Sequence, residues 1–380
     1  MYLQGQNGLL PTFKVSWRNR GPVGIAISAA LILFYLFLYF EWQLFNGQSG
    51  YLKGVLPSTQ PLTDIAKAIG LGDRWYLYGA LYSIGMVVGG TYYLLRHGNS
   101  RYNLYRILTN IFIQICFGFS IPFFAKFFQQ PSFYFSYIWP LKFDYFYPDT
   151  WAQLPLYLVL YTTIMSLVVM PILAIFTGKR WYCSWVCGCG GLANTFGDPW
   201  RHLTSSSTRS WRFEQVTIHT VMFVALASTL VIVLGTPVNG TAIVPALTAT
   251  AAATKGWYGF IVTSILAGVV GTGLYPILGA RVWCRNFCPL AALLGWSQKL
   301  GRFRIRVKPN MCISCGNCTT YCEMGIDVRS YAQSNESFTR ASCVGCGMCA
   351  HMCPRGVLRL ENASPQQEDK KRQSLPVINF

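Results

Sequence analysis

The chain has 380 residues, of which 52% are hydrophobic and only 12% are charged, and its formal net charge is +18. Together with a mean hydropathy of +0.34, this composition excludes a soluble globule for most of the chain. It indicates a polytopic α-helical membrane protein with a soluble appendage. The basic excess would suggest a nucleic-acid partner, but membrane topology explains the positions of these residues.

Six apolar segments are long enough to cross a hydrocarbon core of about 30 Å as helices. The predicted spans cover residues 22–44, 75–95, 105–126, 152–177, 214–236 and 257–280. Asn110, Gln114 and Pro122 interrupt the third span, so we expect it to be the weakest of the six. Residues 1–21 are predicted to form a tail ahead of a retained first helix, because no small-residue cleavage site follows a short apolar run.

Lysine and arginine are concentrated in the N-terminal tail, in the loops after the second and fourth spans, and beyond the sixth span. Basic loops stay in the cytoplasm, so both termini are predicted to lie there, with the protein in a bacterial inner membrane. This charge would also attract anionic lipid or an acidic partner. On the outer side, the aromatic segment 131–147 is interpreted as an interfacial belt rather than a ligand site.

Eight cysteines between residues 312 and 353 form two copies of C-x2-C-x2-C-x3-C, a spacing typical of two-cluster 4Fe–4S proteins. Three thiolates of each cluster come from one loop, and the fourth comes from the other copy. Zinc sites and disulfides explain the doubled triplet poorly, since structural zinc usually takes two separated cysteine pairs. The predicted ligands are Cys312, Cys315, Cys318 and Cys353 for the first cluster, and Cys343, Cys346, Cys349 and Cys322 for the second.

Residues 308–360 resemble the bacterial two-cluster ferredoxins. One difference is that Glu323 follows Cys322, where those ferredoxins usually have proline; this weakens an argument about local rigidity but leaves the ligand set unchanged. We therefore predict a small α+β ferredoxin domain over residues 301–360. It follows a membrane domain over residues 22–300 and precedes a flexible polar tail over residues 361–380.

Two further cysteine pairs follow the fourth and sixth predicted spans. Cys183 and Cys187 lie in GKRWYCSWVC, and Cys284 and Cys288 lie in GARVWCRNFC. Both segments fit G-x-R-Φ-Φ-C-x3-C, where Φ is apolar or aromatic, and they lie 101 residues apart as an internal repeat. If each helix continues through its motif, the i, i+4 spacing puts each pair on one helix face. Two facing pairs would offer four thiolates to a metal.

Three interpretations of these four cysteines are open. They hold a third iron–sulfur cluster, they form a redox-active thiol pair or a transient Cu(I) site, or they are structural. Stable disulfides are not expected in a reducing cytosol. Cys189 extends the first motif to C-x3-C-x-C and is either a substitute ligand or a bystander. Cys116, alone in the third span, is expected to be a buried small apolar residue.

The order of these motifs resembles the NapH/NosR/CcoG group of membrane polyferredoxins, over about residues 150–360. The resemblance implies electron delivery for periplasmic nitrate or nitrous oxide reduction, or a role in cytochrome oxidase assembly. In that group the second cysteine of each pair is usually followed by proline. Cys288 matches this pattern through Pro289, whereas Cys187 is followed by Gly188.

Few residues are available for electron exchange within the membrane. Of the four histidines, only His219 lies in a predicted span, which is too few for a bis-histidine haem. Because ionisable groups at membrane depth indicate function, His219 is a candidate quinone or proton site, with a structural histidine as the alternative. The glycine-rich residues 188–195 follow a span and predict a loop near the metal site rather than a phosphate cradle.

We therefore predict a membrane-bound electron-transfer protein that relays single electrons between quinone, or a membrane partner subunit, and a redox partner. Its predicted cofactors are two 4Fe–4S clusters, with a third cluster and quinone as further candidates. No bond-making active site is evident, which favours a redox subunit over an enzyme. The alternatives are a copper-handling maturation factor for a respiratory metalloenzyme and a membrane redox sensor.

Overall fold

A computed structural model describes residues 21–45, 60–125, 128–237 and 242–362. The predicted N-terminal tail and C-terminal tail lie almost wholly outside these residues. The described chain is mostly helical and ends in a small two-stranded sheet, which confirms the predicted fold class. Its six long helices are Pro22–Phe45, Arg74–His97, Arg101–Ala125, Leu156–Thr177, Thr208–Gly235 and Pro245–Val270.

Five of the six long helices combine the length and the hydropathy needed to cross a membrane. The exception among the described residues is the second long helix, Arg74–His97, which contains five tyrosines and four glycines. We expected the third helix to be the weakest, and that expectation is wrong. Its polar residues are buried inside the protein: Gln114 is fully buried and donates a hydrogen bond to the carbonyl of Val186.

The third, fourth and sixth long helices each contain a π-helical segment, and the third and sixth also depart from the predicted bounds. The third contains a π-helical segment, Gln114–Ser120, which starts at the buried glutamine. The sixth begins at Pro245 rather than near residue 257, and it ends at Val270 rather than near residue 280. It ends there because Gly271 and Gly273 form a turn before the next short helix.

The aromatic segment 131–147 does not form the predicted interfacial belt. Phe133, Ile138 and Trp139 are between 1% and 4% exposed, so they belong to the core and do not face lipid. The segment runs back into the helical domain, where the carbonyl of Ser136 accepts a hydrogen bond from the hydroxyl of Tyr182 at 2.7 Å. Irregular backbone is tolerated at membrane depth where protein surrounds it, as here.

Short helices connect the long ones and carry the cysteine motifs. They are Pro61–Ala68, Pro148–Gln153, Arg180–Cys183, Gly188–Asn194, Tyr275–Leu278, the π-helix Trp283–Phe287, and Pro289–Lys299. The described residues also include the 3-10 turns Phe143–Phe146, Asp198–Leu203 and Pro245–Leu247. The first cysteine motif thus lies between the fourth and fifth long helices, and the second follows the sixth.

The C-terminal domain is built on strands β1 (Phe303–Val307) and β2 (Leu358–Asn362), which pair antiparallel with Ile305 opposite Leu360. Alternate residues of β1 are buried, as expected for a strand with one face in the core. Three short helices lie between the strands: Asn317–Thr320, Val328–Gln333 and Met348–His351. Because β1 precedes the cysteine loops and β2 follows them, pairing of the strands brings the two ends of the domain together.

Candidate metal centres

Cysteines from both ferredoxin repeats surround the first of two cavities in the C-terminal domain. This cavity, of about 350 Å³, is lined by Cys312, Cys315, Cys318 and Cys353. Gly316 adopts a positive φ of 80° and allows the chain to turn directly into the helix that carries Cys318. Cys315 is exposed and its neighbour Ile313 is 55% exposed, so this cavity lies against solvent.

The second cavity, of about 370 Å³, has the complementary set of cysteines. It is lined by Cys322, Cys343, Cys346 and Cys349. Gly347, with a φ of 79°, precedes the helix that carries Cys349, as Gly316 does in the other copy. The remaining wall is mainly apolar and includes Ile305, Met324 and Phe338. Such a wall excludes water and would help to set the potential of a bound cluster.

These two cavities fit two cubane clusters. In each, three cysteines come from one repeat and the fourth from the other, which is the exchange that the spacing predicts. Among the described residues, no three His, Cys, Asp or Glu side chains converge closely enough to hold one metal ion. The eight cysteines are instead arranged around the two cavities.

The two C-x3-C motifs share one backbone conformation. Gly178 and Gly279 have positive φ values of 76° and 96°, and each ends the helix before its motif. The amide of Cys187 then donates to the carbonyl of Tyr182 at 2.7 Å, and the amide of Cys288 donates to the carbonyl of Trp283 at 2.9 Å. The preceding helix does not continue through either motif, so the condition on which we placed each cysteine pair on one helix face is not met.

The four cysteines of these motifs are brought together in one core cluster. Cys183, Cys187, Cys284 and Cys288 are each between 6% and 7% exposed. Cys288 interacts electrostatically with the other three thiols. All four side chains are buried in mainly apolar surroundings, where a bound metal or cluster would stabilise their thiolate forms.

Cys189 lies next to this set, two residues after Cys187, and the two thiols interact with each other. Between them, Gly188 has no room for a side chain, because a Cβ atom there would overlap the hydroxyl of Tyr137. The departure from the usual proline thus has a packing reason. The backbone conformation of the two motifs is nonetheless the same.

The first motif is recessed within the helical domain. The carbonyl of Gly188 accepts a hydrogen bond from Tyr82 at 2.9 Å, and Tyr82 lies 15 residues before the end of the second long helix at His97. That length of helix spans about 22 Å. Gln114, which contacts the carbonyl of Val186, is likewise 13 residues from the start of its helix at Arg101. We refer to Cys183, Cys187, Cys284 and Cys288 as the recessed set.

The loop that lines the second cavity is hydrogen-bonded directly to the helical domain. The hydroxyl of Ser184 donates to the carbonyl of Val344, and that of Tyr102 donates to the carbonyl of Gly345, both at 2.7 Å. Gln298 accepts from the amide of Lys179 at 2.7 Å and donates to the carbonyl of Cys343 at 3.0 Å. The second cavity therefore faces the helical domain, and the first faces solvent.

A buried ionic network, which the sequence analysis missed, surrounds Glu323. Its carboxylate accepts hydrogen bonds from Arg281 at 2.9 Å and from Arg201 at 2.7 Å. Burial would raise the pKa of Glu323, but the two guanidinium groups lower it to about 2. The available signal was the replacement of the usual proline by a carboxylate beside Cys322.

The remaining candidate residues lie apart from the cavities. His219 is on the fifth long helix with an exposed side chain, and its ring stacks on Trp296 with a centroid distance of 5.7 Å and an interplanar angle of 19°. Cys116 lies in the π-helical segment of the third long helix and is partly buried. Neither residue lines the two cysteine cavities.

Comparisons with known proteins agree with this geometry. Residues 311–358 match the 4Fe–4S dicluster domain family. Residues 159–204 and 261–308 each match the 4Fe–4S binding domain family, so both halves of the repeat lie in such a match. The C-terminal domain binds two 4Fe–4S clusters, as the sequence predicts.

The chain is also similar to YccM of Escherichia coli (strain K12), which is named provisionally as an electron transport protein. The two are 26% identical over 172 residues, which cover 44% of this chain and 48% of YccM. The matched part thus spans about half the length of this relative. No solved structure matches the chain.

Proposed function

We propose that the protein is a membrane-bound iron–sulfur electron carrier. The observation that carries this proposal is the contact between the second cavity and the recessed set. Ser184, which directly follows Cys183, is hydrogen-bonded to Val344, which directly follows Cys343. Two cysteine sets joined by such a short connection suit electron transfer between clusters. The likeness to YccM and to two 4Fe–4S families supports this function.

Each cluster has a proposed set of four cysteine ligands. Cys312, Cys315, Cys318 and Cys353 hold the solvent-facing cluster, and Cys322, Cys343, Cys346 and Cys349 hold the one next to the membrane domain. The recessed set holds a third cluster, with Cys189 as a neighbour of Cys187 rather than as a ligand. The clusters supply reversible one-electron storage. The residues around them bury the sulfurs, exclude water and donate hydrogen bonds.

The proposed path runs from solvent to membrane. A soluble one-electron redox protein would exchange an electron at the surface around Cys315 and Ile313. With clusters bound, each transfer would oxidise one site and reduce its neighbour by a single electron, without making or breaking a bond. At the other end the electron is exchanged with quinone or with a partner subunit in the membrane. His219, stacked on Trp296, is the residue that we assign to quinone or proton exchange.

The domain division and location belong to the same proposal. Residues 22–300 are the membrane domain, residues 301–360 are the ferredoxin domain, and both termini lie on the cytoplasmic side of a bacterial inner membrane. Membership of the NapH/NosR/CcoG group is also proposed here. It is supported by the matched order of the repeat and the dicluster domain.

Iron content and reduction by quinol test this function. Anaerobically purified protein is expected to contain about 12 iron atoms per chain, because three cubane clusters carry four each. In membranes that contain its partners, quinol is expected to change the redox state of the clusters. An iron content near zero would overturn the carrier function. Clusters that do not respond to quinol would exclude direct exchange with quinone.

Two rival functions predict different results in the same measurements. A copper-handling maturation factor would contain about 8 iron atoms and would bind copper through Cys183 and Cys284. A redox sensor would bind a regulator in only one redox state and would carry no steady electron flux. The match of both C-x3-C motifs to a 4Fe–4S binding family favours the carrier.

A further inference from the structure

The carboxylate of Glu323 joins two buried arginines from different parts of the membrane domain. Its Oε2 accepts from Nη1 of Arg201 at 2.7 Å, and its Oε1 accepts from Nη2 of Arg281 at 2.9 Å. All three side chains are at most 2% exposed. Arg201 follows the first cysteine motif, whereas Arg281 lies inside the second. A single residue of the ferredoxin domain thus connects both halves of the repeat.

Each arginine also contacts the sulfur of a different cysteine set. Nη1 of Arg201 lies 3.9 Å from Sγ of Cys346, which lines the second ferredoxin cavity. Nη1 of Arg281 lies 3.6 Å from Sγ of Cys284, which belongs to the recessed set. The three side chains therefore form a continuous ionic connection from one cysteine set to the other. We call Arg201, Glu323 and Arg281 the charge bridge.

Fold stability alone explains the charge bridge poorly. Burying these three charges carries a large desolvation cost, and well-packed apolar side chains of similar size are often as stable. Buried Asp198 offsets part of this cost, because it accepts from Nε of Arg201 at 2.9 Å. Among the described residues, Nη2 of Arg201 and Nε of Arg281 have no hydrogen-bond partner, so the offset is incomplete. The contacts of the two arginines with the sulfurs of Cys346 and Cys284 indicate an electrostatic effect on bound clusters instead. A cationic N–H group beside a cluster thiolate favours the reduced, more negative cluster and raises its reduction potential.

We propose that the charge bridge sets the reduction potentials of the second ferredoxin cluster and the recessed cluster relative to each other. This inference rests on the proposed function, because it requires a cluster at both cysteine sets. Arg201 raises the potential of the ferredoxin cluster, and Arg281 raises that of the recessed cluster. Glu323 opposes both effects and holds the two guanidinium groups in place. The three residues tune and position the clusters and do not ligate them.

A redox titration of purified variants, followed by electron paramagnetic resonance, tests the charge bridge. Arg201→Met is expected to lower the potential of the ferredoxin cluster more than that of the recessed cluster. Arg281→Met is expected to do the reverse, and Glu323→Gln is expected to raise both. For the more affected cluster in each arginine variant, the equilibrium constant of one-electron reduction should change about tenfold, which corresponds to about 59 mV. A merely structural role would not produce this crossed pattern.

Glu41→Gln is the matched control. Glu41 is fully buried and accepts from Arg74 at 2.9 Å, but this pair is not in contact with a cysteine sulfur. All cluster potentials are expected to be unchanged in this variant. A shift as large as those of the arginine variants would overturn the inference, because loss of any buried charge would then suffice.

Iron content separates the inference from the function on which it rests. A wild-type value far below about 12 per chain contradicts the three-cluster carrier. A normal iron content with equal or absent shifts in Arg201→Met and Arg281→Met overturns the charge bridge alone. If either methionine variant loses its clusters, Arg201→Lys and Arg281→Lys are used in its place. Lysine keeps the positive charge but lacks the planar guanidinium that bonds the carboxylate and the sulfur together. Arg201→Lys should again shift mainly the ferredoxin cluster, and Arg281→Lys mainly the recessed cluster, each by less than the methionine variant. Equal shifts of the two clusters in each lysine variant would also refute the inference.

Discussion

The two halves of the cysteine repeat have the same backbone but hold the ferredoxin domain by different interactions. In the first half, Ser184 donates a neutral hydrogen bond to Val344. In the second half, the equivalent residue is Arg285, whose hydrogen bonds stay within the helical domain, to Glu214 at 2.8 Å and to the carbonyl of Ser205 at 2.6 Å. The second half holds the ferredoxin domain instead through the ionic contact of Arg281 with Glu323.

This difference shows how two copies of one motif can contact opposite walls of the same ferredoxin cavity. The first half contacts the loop that carries Cys343 and Cys346, and the second half contacts the turn that follows Cys322. Both of these segments line the same ferredoxin cavity. The shared geometry thus supplies four cysteines, while residues at two different positions of the motif hold the two walls of the neighbouring cavity: Ser184 in the first half and Arg281 in the second. Variants at equivalent positions can separate the shared role from the diverged ones.

The largest effect is expected from the cysteines, where the two halves should behave alike. Cys183→Ser and Cys284→Ser should each remove the recessed cluster and lower the iron content from about 12 to about 8 atoms per chain. Cys116→Ser, in the third long helix, is the control and should keep the full content. If iron is lost in one variant only, the two halves are not equivalent as ligands.

The next largest effect should distinguish the halves. Arg285→Met leaves Glu214 buried without its charge partner, and this is expected to cost about 3–5 kcal/mol of stability. The measurement is the temperature at which the detergent-solubilised protein loses its iron–sulfur absorbance. The double variant Arg285→Met/Glu214→Leu should recover most of the loss, since both charges are then absent. Failure of this recovery would show that the ion pair is not the cause.

The third comparison concerns the room for a side chain at one equivalent position in the two halves. A Cβ atom on Gly190 would overlap the carbonyl oxygen of Cys183, whereas the equivalent residue of the second half is Ala291. Gly190→Ala is expected to destabilise the protein by about 1–3 kcal/mol through overpacking. Ala291→Gly should cost only about 0.5–1 kcal/mol, the usual penalty for glycine inside a helix. Equal losses in the same thermal assay would contradict the difference in packing.

The smallest effect is expected at Ser184. Replacing it with alanine removes one hydrogen bond and should cost about 1 kcal/mol. The loss should be local, so amide hydrogen exchange is expected to speed up in the loop around Val344 while the helices stay protected. The same rate in variant and wild type would mean that Ser184 does not hold this loop.

Local sequence patterns predicted the cysteine sites better than their surroundings. The exchange of Cys322 and Cys353 between cavities follows from the spacing, because the fourth cysteine of a C-x2-C-x2-C-x3-C run ligates the other cluster in two-cluster proteins. The shape of the C-x3-C motifs was missed because a helix was assumed to continue. Gly178 and Gly279 were visible as breakers, but their positive φ values became clear only in the structure.

Other features depend on contacts between distant residues. An alternating aromatic segment has the same composition in an interfacial belt and in a core, so residues 131–147 could not be assigned from sequence. Likewise, Gln114 lowered our expectation for its helix because its partner, the carbonyl of Val186, is 72 residues away. Glu323 was noticed as a departure, but its two arginines come from segments far earlier in the chain.

The recessed position of the first motif has a consequence for energy conversion. Its contacts with Tyr82 and Gln114 lie about 20 Å along the helices from the ferredoxin end. If these helices cross the membrane in the proposed orientation, the site lies inside a hydrocarbon core of about 30 Å. A full crossing of the membrane is worth about 2.3 kcal/mol per charge at 100 mV, so an electron that crosses half of it exchanges about 1 kcal/mol with the field. Reduction of the recessed site from the ferredoxin domain would therefore be electrogenic, and its equilibrium would respond to the voltage across the membrane.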